Sequence, residues 1–232
     1  MKDAEIDLEK KTDPYRAVLN GVQDDEIDDE IARITDRIAG DKMYLDAMVA
    51  EEARRHRQRG RDAWIMTASG GRFHPLDPKP DEVKLEDIAQ ALSNTCRYSG
   101  HCTEFYSVAE HCVHVSNFVP PQYAAWGLLH DAGEAYLADI ARPVKPFLPG
   151  FAAIEKKIMA AVCTHFGLPL QEPTEVKRVD TAILVDEAQQ LMDGDISGWH
   201  LPEPPLGVKL RPWSPEQARH VFLSRARALG LS

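Results

Sequence analysis

The stretch LLHDAGEAYLAD, residues 128–139, decides how this chain reads. It sets His130 and Asp131 side by side after an apolar run, with Glu134 one helical turn further on and Asp139 just before a proline-interrupted loop. Four metal-capable side chains thus crowd an otherwise apolar segment. Charged groups are seldom buried unless they are paired, metal-bound or catalytic, so the cluster calls for partners elsewhere in the chain.

Working outward, the helical periods supply them. Ser107-Val-Ala-Glu110 has the pattern of a capping box and opens a helix to about Phe118, with an apolar face of Val108, Cys112, Val115 and Val119 on which His111 falls. The next helix, from about Gln122 to Leu137, carries the quoted stretch. After Pro143, Pro146 and Pro149 comes a strongly periodic helix, Phe151 to Phe166. Thr174 is the expected cap of another, with Val176, Val179, Ile183, Leu184, Ala188 and Leu191 turned inward. Asp180 shares that inward face, where an aspartate needs a partner. Glu187, seven residues on, shares it too, either orienting a ligand or pairing with a base such as Arg178. Residues 193–212, rich in proline and glycine, read as an irregular segment, and Ser214-Pro215-Glu216-Gln217 caps a last helix to about Leu229.

Upstream, residues 1–23 are polar and irregular, with a turn expected at Asp13-Pro14. Ile27, Ile31, Ile34 and Ile38 recur at helical spacing and are closed by Gly40, with a second helix expected from the cap Asp41. That helix fades into the run Arg54 to Arg61, which reads as a solvated basic helix end or, alternatively, a phosphate-binding patch. Residues 64–80 hold a Ser-Gly-Gly turn between short apolar runs, the pattern of a small β-hairpin. A helix through Leu85, Ile88, Ala89 and Leu92 follows. Outside the hairpin every convincing period is 3.6, which makes the fold class all-α.

Composition narrows the function. The chain has 232 residues, and its 37 acidic against 27 basic residues, a formal charge of −10, argue against a general nucleic-acid or anionic-membrane binder. No apolar run approaches the roughly 20 residues of a membrane-spanning helix. Four cysteines without CxxC pairs, and no apolar leader after Met1, predict free thiols in a reducing cytoplasm.

His111, His130, Asp131 and Asp180, on three helices, form a mixed nitrogen and oxygen set suited to a divalent metal such as Mn, Co, Fe, Ni, Zn or Mg. A lone histidine, a His-Asp pair and a distant aspartate in that order resemble the HD-domain metal-dependent phosphohydrolases. More narrowly, the run HDAGEAYLADIARPVK from His130 to Lys145 resembles the bacterial HD-domain 5′-deoxynucleotidase branch. SVAEH ending at His111, Cys96-Arg97-Tyr98 and Glu155 carry the same resemblance, and with WIMTASGGRFHPLDP upstream the pattern is similar to HD proteins of phages and bacteria. It covers about residues 64 to 192.

The resemblance implies an all-α HD-domain helical bundle with a short hairpin over 61–232; the helical extension expected over 1–60 lies outside it and rests on the isoleucine period alone. The resemblance makes His111, His130, Asp131 and Asp180 the metal ligands, with Asp131 and Glu134 catalytic. Arg97 matches a phosphate-positioning arginine to within one residue of spacing, and Asp139 matches an aspartate near the sugar. Lys145 is a further candidate for substrate contact, and Tyr98 stands where the nucleotidases carry a tryptophan. The implied function is hydrolysis of the 5′-phosphate of (deoxy)nucleoside monophosphates. A deoxynucleoside triphosphate triphosphohydrolase and a non-catalytic nucleotide-sensing module are the alternatives. Such nucleotidases are often homodimers. Simpler readings stand beside these roles: Glu134 bridging Lys145 or Arg142, Arg97 pairing with Glu104 or Glu110, Asp139 capping a helix end, and His101 or His114 either joining a second metal or staying structural.

Overall fold

A computed structural model describes residues 24–231 of the chain; the expected turn at Asp13-Pro14 lies outside them, as do the side chains of Ile27, Arg57, Arg59 and Arg61. Predominantly helical, the structure has one two-stranded antiparallel hairpin, as the periodicity predicts. The described chain divides after Arg57 into two units.

Helix α1, Asp24–Asp62, runs unbroken for 39 residues. The expected stop at Gly40 and restart at Asp41 do not occur. A glycine ends a helix by adopting the left-handed conformation, and Gly40 is absent from the positive-φ residues. Inside a helix it costs only about 1 kcal/mol relative to alanine, too little to interrupt the turns on either side.

In the second unit, strands β1 (Ile65–Met66) and β2 (Arg72–Phe73) pair in the register Ile65 to Phe73 and Met66 to Arg72. Their turn is fastened to helix α2, Leu85–Asn94, because the Asp87 carboxylate accepts hydrogen bonds from the Ser69 amide at 2.6 Å and hydroxyl at 2.9 Å. Helices α3 (Val108–Phe118), α4 (Ala124–Leu129) and α5 (Glu134–Leu137) follow. Then come α6 (Phe151–His165), α7 (Thr174–Leu191) and α8 (Pro215–Ala228). Ile88, Leu92, Cys112, Leu128, Leu129, Ile158 and Phe222 meet in one core. Val115, Trp126, Val176, Val179 and Ile183 form a second, where α7 joins α3 and α4. Phe73 stacks on Tyr136 at 3.6 Å, so the hairpin is sealed onto α5.

Helix α4 lies close against α3 because Gly127 has no side chain; a Cβ there would meet the Ser116 Cα at 3.2 Å. The helix expected to continue to Leu137 instead breaks after Leu129. The His130 ring nitrogen Nδ1 donates to the Gly127 carbonyl at 2.9 Å, competing with the backbone amide one turn on. The chain tightens into three-residue bonds, Ala132 N to Leu129 O and Glu134 N to Asp131 O, both 2.9 Å. Beyond α5, Ala138 takes φ 73° and ψ 159°, a conformation other residues leave to glycine, and turns the chain sharply into Asp139.

Two expected caps are modified. Ser107 accepts from the Glu110 amide at 3.1 Å, but the Glu110 carboxylate reaches Trp213 N at 2.8 Å instead of closing the box. Pro173, not Thr174, is the capping residue of α7. At α8 the box is complete, with Ser214 and Gln217 bonding reciprocally. Residues 193–212 are irregular as expected, apart from a single turn at Ser197–Trp199. Asp186 on α7 ties this segment down by accepting from the amides of Leu206, Gly207 and Val208 at 2.6, 2.8 and 2.9 Å. Gln190 adds bonds to Val208 O and from Leu210 N.

Asp186→Ala would leave three amides without their carboxylate. Hydrogen bonds to a charged group contribute about 1.5–3 kcal/mol each, so the variant should melt several degrees lower and be cleaved by protease within 193–212. Wild-type resistance to cleavage in the variant would refute this anchoring role.

Candidate metal centre

Three separate elements converge on one point. His111, from the middle of α3, is fully buried, and His130 and Asp131 occupy the tight turn after α4. The two Nε2 atoms lie 3.2 Å apart, and the Asp131 carboxylate is 3.3 Å from that of His130 and 3.7 Å from that of His111. One ligand atom from each of the three lies within 4.8 Å of the others, a cluster that could hold a metal ion. Asp180, from α7, approaches from the other side, 3.3 Å from His111 Nε2 and 3.7 Å from His130 Nε2.

The proton positions follow from the partners. His130 Nδ1 faces a backbone carbonyl, which can only accept, so that nitrogen carries a proton. His111 Nδ1 lies 2.7 Å from the Glu187 carboxylate, and Glu187 is ionised: burial would raise its pKa, yet Arg97 and His111 hold it down at about 2. In their neutral forms both imidazoles therefore aim Nε2 lone pairs at each other, with two carboxylates alongside. Four electron-pair donors meeting at such distances need a positive charge among them. Burial would push His130 towards its neutral form, but Asp131 beside it raises its pKa well above the ordinary value. Asp180, despite burial, is held far below the usual carboxylate range by the two histidines. The centre thus attracts a proton where a cation fits, and the donor set suits a borderline divalent ion.

Glu187 is the hub behind the cluster. Its Oε2 accepts from Arg97 Nε at 3.2 Å and Nη2 at 3.1 Å, and from the Tyr98 hydroxyl at 2.6 Å. Its Oε1 accepts from the Tyr106 hydroxyl at 3.0 Å as well as from His111. Arg97 and Tyr98 reach it through a left-handed turn in which Tyr98 and Ser99 take φ of 55° and 54°. Such conformations cost other residues about 1–2 kcal/mol each, a strain that the Glu187 bonds offset. The remaining guanidinium nitrogen of Arg97, Nη1, points to Asp131 at 3.7 Å. Neither of the alternatives for Arg97 holds, and Glu187 pairs with Arg97 rather than Arg178.

Glu134 lies on the near side, 8 % exposed. Burial first, then the charges of Asp131 and Asp139, push its carboxyl up to about 9. Lys145 is 3.5 Å away but shares its ammonium with Glu155 at 3.1 Å. Among the described residues Glu134 Oε2 has no hydrogen-bond partner. Asp139 is half-buried, and burial raises its pKa against the pull of Arg97 and Lys145. His114 packs on the Trp213 ring and His101 is exposed, so neither joins the cluster.

Sequence reasoning missed several neighbours. Tyr106 stands just before the cap Ser107, outside any helical period. Arg142, named from the sequence only as a possible partner of Glu134, reaches Asp180 at 3.5 Å from the proline loop. Glu172, whose carboxyl is raised by burial, feels both His130 and Asp180. Trp199 stands beside Tyr98, ring centroids 5.8 Å apart.

A folded pKa of about 9 against an ordinary 4.5 has a definite sign. The stability that the protonated Glu134 contributes is complete below pH 4.5 and is lost as pH rises through 9. Glu134→Gln, which keeps the neutral form, should therefore raise the melting temperature of the chelator-treated protein by an increment that grows across this window. An increment independent of pH would exclude the buried acid.

No family model matches the chain. Relatives do. Over 166 residues it is 38% identical to the uncharacterized protein YfdR of Escherichia coli (strain K12), an alignment covering 70% of this chain and 93% of that protein. It is 33% identical over 189 residues to the uncharacterized protein RCAP_rcc00048 of Rhodobacter capsulatus, covering 72% of this chain and 95% of the relative. Nearly the whole length of each relative is matched, and the chain belongs to the YfdR family.

Proposed function

We propose that this chain is an HD-domain phosphohydrolase that releases the 5′-phosphate of (deoxy)nucleoside monophosphates. The observation that carries the reading is the pair of buried Nε2 atoms, 3.2 Å apart and flanked by two carboxylates, beside the buried carboxyl of Glu134. His111, His130, Asp131 and Asp180 would hold a divalent cation. When bound, such an ion acidifies water and draws charge from phosphoryl oxygens.

The chain's own groups account for the remaining needs of the reaction. Arg97 is locked by Glu187 with one guanidinium edge left towards the cluster, where it would orient the phosphate. Glu134 would give its proton to O5′ as the P–O5′ bond breaks, while water oxygen bonds to phosphorus; the water's proton then restores the acid. Burial is the largest cause of its raised pKa. Lys145 would balance charge on the departing side, and Asp139 would face the sugar. Trp199 beside Tyr98 offers the flat surface that the family's tryptophan would otherwise provide for the nucleoside. The four cysteines are all free thiols, which supports a cytoplasmic setting. No helix among the described residues is long and apolar enough to cross a membrane.

The decisive experiment incubates the protein with nucleoside mono-, di- and triphosphates under Mn, Co, Ni, Zn or Mg and identifies the products. Inorganic phosphate from monophosphates is expected, with His130→Ala and Asp131→Ala both losing bound metal and activity by a factor of about 100 or more. Release of intact triphosphate would replace this reading with the triphosphohydrolase; nucleotide binding without turnover would replace it with a sensor. Trp199→Ala should raise KM with little change in kcat, because it removes binding remote from the phosphorus. A loss confined to kcat would remove Trp199 from the nucleoside subsite.

A further inference from the structure

Helix α1 is far longer than its surroundings require. At 39 residues it spans about 58 Å, against about 11–12 residues for an ordinary helix. Its apolar residues Ile31, Ile34, Ile38, Leu45 and Met48 are spaced three and four apart in alternation, and they are 49–63 % exposed. In sequence the alternation begins at Ile27, and its one polar interruption is Asp41. This is a 3.5-residue period sustained over three heptads, the spacing that keeps one seam facing a partner helix. A long periodic helix of this kind spans a membrane, stacks in a repeat or enters a coiled coil. Crossing a membrane is excluded for α1, and the chain holds no internal repeat.

Charge identifies the partner. Residues 24–30, DDEIDDE, hold six acidic groups, whereas residues 54–61, RRHRQRGR, hold five arginines and no acid. Glu51 accepts two hydrogen bonds from Arg54 and one from Arg55, and with Glu52 and Asp62 included residues 51–62 still hold five arginines against three acids. The two ends of α1 are therefore complementary to each other and repel their own kind. A second copy laid parallel would put acid on acid and base on base. Laid antiparallel, it brings the acidic end towards the basic one, and with Ile31 level with Met48 the pairs brought together are Asp24 with Arg55 and Asp25 with Arg54. A register that sets Ile31 level with Met48 and Ile34 with Leu45 also sets Asp41 level with Ile38, near Arg37 and Lys42, so the polar position has cations at hand. We propose that α1 forms an antiparallel two-helix coiled coil with α1 of a second copy of this chain.

Sedimentation equilibrium of the full-length protein over a wide concentration series tests this. A dimer is expected, and Ile34→Asp combined with Ile38→Asp should make it monomeric while leaving helix content and metal binding unchanged. Neutralising the acidic end with Asp24→Asn and Asp25→Asn should weaken the dimer about tenfold, and added salt should weaken the wild type in the same direction. A monomer at every concentration, a dimer indifferent to the isoleucine substitutions, or a dimer tightened by neutralisation would each overturn the proposal. The last result would mean a parallel pairing.

Discussion

Everything at the centre depends on one buried carboxylate. Glu187 is fully inaccessible, and an isolated charge there would be too costly to keep. It is kept because donors surround it: the guanidinium of Arg97, the hydroxyls of Tyr98 and Tyr106, and the imidazole of His111. These come from the left-handed turn, the strand-like residues before α3, and α3 itself, while Glu187 belongs to α7. Satisfying one charge therefore pulls together parts of the chain separated by as many as 90 residues. The same bonds set the His111 tautomer and aim its free nitrogen at His130. A network of this kind is stable only when every member is present.

Much of this was legible in the residues themselves. The helices from Leu85 to Leu191 follow the 3.6 period because each buries one apolar face, and His111 and Asp180 stood out as polar groups on such faces. The hairpin was visible from its turn residues. Less legible were features decided by competition over a few atoms. Nothing in the period shows that the His130 ring takes the Gly127 carbonyl and ends α4, or that Gly40 remains helical within α1. Glu187 was recognisable as inward-facing, but its partners come from irregular backbone, where no spacing rule assigns contacts. Tyr106 and Trp199 are the clearest examples, since both act from segments without a period.

The surroundings of the cluster are asymmetric. On the Glu187 side both carboxylate oxygens are matched by donors. Towards Glu134, Asp139 and Lys145 the carboxyls outnumber the cations, and one carboxyl oxygen is buried without a partner. Burial first, and then that excess of acid, raise Glu134, and the strained Ala138 lies on the same side. Arg142 and Lys145, both from the proline-broken loop, are the cations that approach this side. Rigidity behind the centre and unmet charge before it are complementary parts of one arrangement.

The two central histidines differ in what holds them. His111 is oriented by a side chain, so a single substitution at position 187 releases it. His130 is oriented by the carbonyl of Gly127, an atom that every amino acid supplies. Genetic change can loosen the first ring from a distance, whereas the second is protected unless the backbone itself is rerouted. Within one centre, then, one ring is held by a contact and the other by the fold.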